Sequence, residues 1–385
     1  MRILRIVTRP NVGGPMRQAL ALWHAHQASG DRTLLVTGRC EEDEAAFDLG
    51  ASGVPLLSPA EVEARGADAV GVCVVDTLRR ALNPLRDLGA QRALGRLVRA
   101  FRPDVVHTHT SKAGVLGRRA AWHERVPCVA HTFHGHVLLD YAGRLLSYAA
   151  RLVERRLAER SDRVFCVSES CREELAALGV AGAAEVIHPA VPTTAFAQVD
   201  RVRAREALGV EPGVPLLGFV GRMVPIKRPE LFAALCRALP GVQGIALGDG
   251  PQVDDLRSGG ALRVMGSDPH PERIVGALDA LILPSRREGF PIAGIEAAAA
   301  GVPTFGFAVP GLVDLDRALG GGFVVEEAEG IEGLIARLRR HLEAGCPRIG
   351  PLGGELAKAC DPRVVAARLS DAYRATLASK GCSAR

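Results

Sequence analysis

The chain has 385 residues, too many for one ordinary domain and comfortable for two of about 180 each. Its 48% hydrophobic and 24% charged residues match an ordinary globular protein with two cores to fill. A net charge of +5 suits an anionic small ligand or an acidic membrane surface and gives no ground for nucleic acid, while nine cysteines without a CxxC pair argue against zinc and a disulfide framework.

The N-terminal Met-Arg-Ile-Leu-Arg-Ile-Val reads as a strand, too short and too charged for a signal peptide. No apolar run approaches the roughly eighteen residues of a membrane span. Short apolar runs predict strands at 3–7, 33–36, 70–75, 104–107, 128–131 and 163–167, separated by helices at 17–29, 85–101, 145–160 and 169–178. Continuously apolar strands alternating with helices predict a parallel sheet covered on both faces. The rhythm breaks over 187–196, where Pro189 and Pro192 interrupt a non-periodic stretch. Strands then follow at 215–220, 244–247, 263–265, 280–283, 303–305 and 322–325, with helices at 201–208, 229–239, 291–300 and 331–342. The reading is an α/β protein with an N-terminal domain over 1–190 and a C-terminal domain over 191–361. A last helix within 362–385 is expected to cross back to the first domain.

Ligands of open parallel sheets gather beyond the carboxyl ends of the strands, so the strand exits carry the argument. The first is Arg9-Pro-Asn-Val-Gly-Gly-Pro. Gly13 and Gly14 would admit close backbone approach to an anion, or form a plain strand–helix turn. Five of the eleven histidines fall at two exits, in His107-Thr-His109-Thr-Ser-Lys112-Ala-Gly and His131-Thr-Phe-His134-Gly-His136. They read as ligand contacts, with satisfied structural histidines or a metal site as the other readings. His109, Lys112 and His136 are the expected acceptor-binding residues.

In the second half, Gly221-Arg222-Met-Val-Pro-Ile-Lys227 places two cations five residues apart ahead of a helix. A planar guanidinium and a compact ammonium match a diphosphate, although two solvated surface cations are the plain alternative. Leu247-Gly-Asp249-Gly250-Pro reads as a tight turn. Next comes Ser-Arg-Arg-Glu288-Gly289-Phe290-Pro291-Ile292-Ala-Gly-Ile-Glu296, where proline marks a helix start. Backbone amides at that start suit a phosphate, and the two glutamates suit sugar and ribose hydroxyls. A dipole-stabilising Glu288 and a solvated Glu296 are the alternatives.

The Glu288…Glu296 pair, with Gly221-Arg222…Lys227, the His107–Gly114 segment and Thr132-Phe-His134-Gly, resembles glycosyltransferase family 4 of the retaining GT-B enzymes. The resemblance runs from the first strand to the last helix. It implies two Rossmann-like, doubly wound parallel-sheet domains facing a central cleft. It further implies that Arg222 and Lys227 hold the donor diphosphate, Glu296 the donor ribose and Glu288 the transferred sugar. His134 would reach that sugar, Gly14 would approach the phosphates, and Met265 and Gly266, within 264–267, would face the nucleobase. His134, Arg222, Lys227 and Glu288 are thus the expected catalytic residues. Two departures stand out: Ile187-His-Pro-Ala-Val-Pro in place of an Asn-Gly-Val-Asp type of hinge, and Ala293-Gly294 in place of bulkier apolar residues around the sugar.

The resemblance implies transfer of a hexose or N-acetylhexosamine from a nucleoside-diphosphate sugar, UDP favoured, to an acceptor hydroxyl with retention. Cell-surface polysaccharide, glycolipid or secondary-metabolite synthesis would use such a step. No metal or other cofactor is expected, and Asp314-Leu-Asp316 is read as a coincidental DxD. The alternatives are a sugar-nucleotide epimerase of the same fold and a non-catalytic sugar-nucleotide-binding protein. An NAD-dependent dehydrogenase is disfavoured by the absence of GxGxxG. Residues 143–163 carry six arginines against three acids. They read as a core helix with a solvated arginine face, or as a basic amphipathic face for a membrane carrying a lipid-linked acceptor. The expected location is cytoplasmic, with peripheral contact at the inner membrane face as an option.

Overall fold

Short strands flanked by longer helices bury their apolar residues only if the strands pair in parallel and the helices cover both faces. The computed structural model has this arrangement twice. It describes residues 1–42, 44–135, 143–258, 262–268 and 270–382. One compact unit comprises Met1–Ala190 with Pro362–Arg385, the other Val191–Asp361.

The first unit begins β1 (Arg2–Val7), α1 (Gly14–Ala28), β2 (Arg32–Thr37), β3 (Leu56–Leu57), α2 (Pro59–Arg65), β4 (Gly71–Val74) and α3 (Pro84–Phe101). It continues β5 (Val105–His109), α4 (Ser111–His123), β6 (Cys128–Phe133), α5 (Gly143–Arg160), β7 (Arg163–Cys166), α6 (Glu169–Ala177) and β8 (Glu185–Val186). The strands pair in the order β3-β4-β2-β1-β5-β6-β7-β8, all in parallel. The order reverses between β1 and β5, so a crevice opens at their carboxyl ends. Leu4, Ile6, Val106 and Val129 pack under α3 and α4 on one face. Ile3, Val105 and Phe165 belong to the core on the other.

The second unit contains α7 (Thr194–Ala197), α8 (Arg201–Ala207), β9 (Leu216–Val220), α9 (Pro229–Ala238), β10 (Gln243–Leu247), α10 (Val253–Ser258), β11 (Arg263–Gly266) and α11 (Pro271–Ala277). Then come β12 (Ala280–Leu283), α12 (Ile292–Ala299), β13 (Thr304–Phe307), α13 (Pro310–Ala318), β14 (Val324–Val325), α14 (Gly330–Glu343) and α15 (Pro351–Ala359). The sheet order β11-β10-β9-β12-β13-β14 puts the reversal between β9 and β12. Their exits carry the two conspicuous motifs of this half. The chain then returns to the first unit as α16 (Pro362–Ser379), whose Val365, Leu369, Tyr373 and Leu377 pack with Ile3, Leu22 and Val105.

Two local expectations need correction. Strands β5 and β6 each run two residues past the expected ends, because Thr108 and His109 keep their ladder partners His131 and Thr132. Their polar side chains bond to one another, so polarity does not end the strands. Lys112, past the exit of β5, stands in the first turn of α4. That helix lies tight on the sheet: a Cβ on Gly114 would meet His131 Cε1 at 2.8 Å, and one on Gly117 would meet Thr108 Cγ2 at 2.7 Å. Finally, Pro291 caps α12 from outside and Ile292 opens it.

Candidate active site

The exits of β9 through β13 are laced together by backbone hydrogen bonds. Gly221 N–H donates to Leu247 O (3.0 Å), Met223 N–H to Asp249 O (2.9 Å) and Gly248 N–H to Gly266 O (2.8 Å). A Cβ on Gly248 (φ 137°) would stand 2.0 Å from Gly221 O, so the turn after β10 is glycine because another backbone lies against it. Asp249 anchors the exit of β11 by accepting from Ser267 N (3.1 Å) and Ser267 Oγ. Met265 and Gly266 end β11 in half-buried positions.

Within this frame Lys227 Nζ donates to Glu288 Oε1 at 2.5 Å, and Ser285 Oγ donates to the same oxygen at 2.7 Å. The Glu288 side chain is 7% exposed and that of Lys227 23%, so solvent screens the pair only partly. Arg286 N–H donates to Ile226 O (2.9 Å), fastening the exit of β12 to the loop that carries Lys227. The side chain of Arg222, half-buried in the same loop, has no hydrogen-bond or ion-pair partner among the described residues, while its backbone oxygen accepts from Val224 N–H at 3.0 Å. Arg228 braces the assembly. Its backbone is left-handed (φ 51°), and its guanidinium donates to Pro284 O (2.5 Å), Ser285 O (3.1 Å) and Glu327 Oε2 (3.1 Å). It also stacks over Phe307 at 4.5 Å. The Arg228 hydrogen bond pulls the Glu327 carboxyl below its usual range.

Helix α12 starts four residues past Glu288, and no side chain caps it. The first amides of a helix lack intrahelical partners; the Pro291 carbonyl accepts from Gly294 N–H (3.0 Å) and Ile295 N–H (3.2 Å), and its side chain offers no acceptor to the amides of Ile292 and Ala293. Phe290 is buried at this tip, and Gly289 precedes it. Glu296 is fully buried on α12, which rules out the solvated reading of this residue. Gly311 approaches from the first turn of α13: its N–H donates to Glu288 O at 3.2 Å, and a Cβ there would stand 2.5 Å from Gly289 O. A Cβ on Gly294 would meet Leu315 Cδ2 at 2.4 Å. Its small size therefore serves the packing of α12 on α13. The DxD pair is structural: Asp316 accepts from Gly322 N and Phe323 N, and Asp314 pairs with Arg317.

In the first unit the histidines form a row. Arg5, fully buried on β1, donates from Nη1 to His109 Nε2 at 2.8 Å and reaches His107 Nδ1 at 3.3 Å. His109 Nδ1 bonds to His134 Nε2 at 2.8 Å. His107 bonds to Thr132 Oγ1 (2.7 Å) and to Tyr373 Oη of α16. The His107 and His109 rings stack with centroids 4.4 Å apart. Burial pushes His107, His109 and His131 well below the ordinary histidine range, and burial with the Arg5 charge takes His134 down to about 4. His109 is thus buried behind His134. Lys112 is taken by Asp87 Oδ1 (2.7 Å) and Ala81 O. His136 lies outside the described residues. Gly14 opens α1, which has no side-chain cap. Among the described residues no cluster of His, Cys, Asp or Glu is placed to hold a metal ion.

Helix α5 departs from a plain core helix. Glu154 is buried against Arg118 (2.6 Å), whereas Leu146, Tyr148, Leu152 and Val153 are exposed. Beside it an open groove of about 1050 Å³ is lined by Arg92, Arg96 and Arg99 of α3, Arg119 of α4, and Arg156 and Arg160 of α5. No described helix is long and apolar enough to cross a membrane.

Sequence reasoning missed Arg5, Arg228, Ser285 and Gly311. Arg5 carried a signal, a lone charge in the middle of an apolar strand; the others acquire meaning only from the exits they meet.

The family described as Glycosyltransferase Family 4 matches residues 12–195, and that described as Glycosyl transferases group 1 matches 214–344. The chain is 29% identical over 279 residues to UDP-Gal:alpha-D-GlcNAc-diphosphoundecaprenol alpha-1,3-galactosyltransferase of Escherichia coli, covering 67% of this chain and 72% of that protein. It is 31% identical over 231 residues to D-inositol 3-phosphate glycosyltransferase of Mycolicibacterium gilvum, covering 54% of this chain and 52% of that relative, about half its length. Among solved structures, sucrose-phosphate synthase from Thermosynechococcus elongatus superposes with a TM-score of 0.79 at 20% identity, covering 98% and 100% of the two chains. Anabaena HepE in complex with UDP and glucose gives 0.72 at 17% identity, covering 96% and 98%.

Proposed function

Because the chain belongs to the GT-B glycosyltransferases of the family 4 type, we propose that it moves a hexose or N-acetylhexosamine from a UDP-sugar to an acceptor hydroxyl with retention. One observation carries the reading: Lys227 and Glu288 meet at 2.5 Å beside a helix start without a side-chain cap, with the guanidinium of Arg222, unpartnered among the described residues, on the same loop. Cleavage of the sugar–phosphate bond builds negative charge on the diphosphate and positive charge on the ring. In this reading Arg222, Lys227 and the amides of Ile292 and Ala293 offset the first, as preorganised donors do. Glu288 holds hydroxyls of the transferred sugar, Glu296 the ribose, and the segment with Met265 and Gly266 the base. The departing phosphate takes the acceptor proton on the face it leaves, which retains configuration. Gly14 approaches the phosphates and His134 the sugar. We assign no metal, since the two cations and the helix start supply the stabilisation.

UDP is favoured because the Escherichia coli relative is named for UDP-Gal and HepE is described with UDP and glucose. For the acceptor we favour a lipid-linked one. The diphosphoundecaprenol substrate in the first relative's name and the exposed leucines and arginines of α5 and its groove support a peripheral, inner-face location. A thermal-shift series with UDP-, GDP-, ADP- and dTDP-sugars tests the donor, since binding to the folded state raises apparent stability. Anomer-resolved NMR of the product tests retention. A stabilising GDP-, ADP- or dTDP-sugar with no response to UDP-sugars would overturn the donor assignment.

A further inference from the structure

A fully buried guanidinium is costly without a carboxylate, and among the described residues none pairs with Arg5. Its Nη1 instead addresses two imidazoles. We propose that Arg5 is a positioning residue which, through His109, fixes His134 as a neutral Nδ1–H tautomer, so that His134 offers the ligand a hydrogen-bond donor and never a base.

The argument is proton bookkeeping along the row. Arginine only donates, so His109 Nε2, 2.8 Å from Arg5 Nη1, must be the unprotonated nitrogen of that ring. Neutral His109 then carries its proton on Nδ1, the atom 2.8 Å from His134 Nε2. His134 Nε2 is therefore the acceptor, and the proton of a neutral His134 sits on Nδ1. His107 supports the row from behind: its Nε2 bonds to Thr132 Oγ1, and Tyr373 Oη holds its Nδ1. Protonating His134 on Nε2 would oppose two donors head to head and add a charge near Arg5. Burial and that charge favour the neutral ring. The titratable groups around the row are Arg5 on β1, His26 on α1, His107 and His109 on β5, His131 on β6 and Tyr373 on α16. Asp31, the carboxylate coupled to this set, pairs with His26 at 3.0 Å and with the Met1 amine at 2.9 Å.

The purpose of the fixed tautomer rests on the reading that His134 touches the donor sugar; the tautomer itself does not. Full-length protein labelled with ¹⁵N in its histidine rings, with His134 assigned by loss of its signals in His134→Gln, reports both. The expected spectrum has His134 protonated on Nδ1 alone, unchanged from pH 5.5 to 8.5. A folded Arg5→Met variant should show His134 in mixed tautomers with its titration moved upward, and Arg5→Lys should recover the single form. An Nε2–H tautomer in the wild type overturns the proposal even if Arg5→Met fails to fold. So does an unchanged His134 signal in folded Arg5→Met. Full donor binding by His134→Gln would instead remove the sugar contact and leave the tautomer assignment standing.

Discussion

Lys227 Nζ and Glu288 Oε1 stand 2.5 Å apart, bringing the exits of β9 and β12 to one point. In the proposed reading, the cation for the phosphate and the acid for the sugar are thereby partners of each other. Lys227 and Ser285 both donate to that one oxygen and hold Glu288 in place. The pair ties the exits of the two central strands of the second sheet together.

Lys227→Ala and Arg222→Ala should each lower kcat by about 10²–10³, the scale seen when a donor aimed at developing charge is removed. The measurement is initial rates at saturating donor, with circular dichroism to confirm folding. Near-native turnover in both variants would dismiss the diphosphate role.

Gly311→Ala tests the scaffold and not the chemistry. The new Cβ would stand 2.5 Å from Gly289 O and 2.9 Å from Glu288 O, and backbone cannot swing aside like a side chain. A displacement near 1 Å can cost about 10²-fold in rate, so kcat/KM should fall by at least about tenfold. Differential scanning calorimetry should show only a small shift in Tm.

Arg228→Ala removes charged hydrogen bonds to Pro284 O, Ser285 O and Glu327. Such bonds contribute about 1.5–3 kcal/mol each when buried, and about 2–4 °C of Tm accompanies each kcal/mol at this size. A drop in Tm of at least roughly 3–12 °C, the equivalent of one such bond, is expected. Arg228→Gly should lose less than Arg228→Ala, because glycine accepts the left-handed backbone at φ 51°.

Stability should fall as the medium is acidified. His134 has its folded pKa depressed to about 4, with His107, His109 and His131 also lowered by burial. Below about 6.5 the unfolded chain binds protons that the folded one refuses, so stability is full above that pH and declines toward 4. Denaturant melts at pH 7.5, 6 and 5 should show the midpoint falling. His134→Gln should flatten part of the slope.

Leu152→Glu with Arg156→Glu should abolish flotation with anionic vesicles while leaving turnover on a soluble acceptor analogue unchanged. Both residues lie on the exposed side of α5. Binding to neutral vesicles that survives the double substitution would argue against this face.

Much of this was legible in the order of residues. Apolar strands such as 216–220 and 280–283 are buried on both sides, so their runs are unbroken and easy to recognise. The motifs at their exits are local in sequence, and Glu288 and Lys227 could be named from them. Residues whose meaning lies in a distant partner could not. Arg5 acquires its role from His109, 104 residues away, and Arg228 from Glu327, 99 residues away. His107 and His109 misled for a related reason: polar residues usually end a buried strand, and here Arg5, Thr132, Tyr373 and His134 satisfy them inside the fold. The outward turn of Leu152 and Val153 was also hidden, because a helix pattern shows that a stripe exists without saying which stripe the sheet takes.

The return of α16 to the first sheet sets an order of events during synthesis. Tyr373 supplies a hydroxyl to His107 across 266 residues, so the N-terminal unit cannot complete its interior until the ribosome has made the whole of the second. That second unit, continuous from Val191 to Asp361, can fold as it emerges. The domain begun first is the one finished last, and until then its apolar face awaiting α16 is a natural client for chaperones.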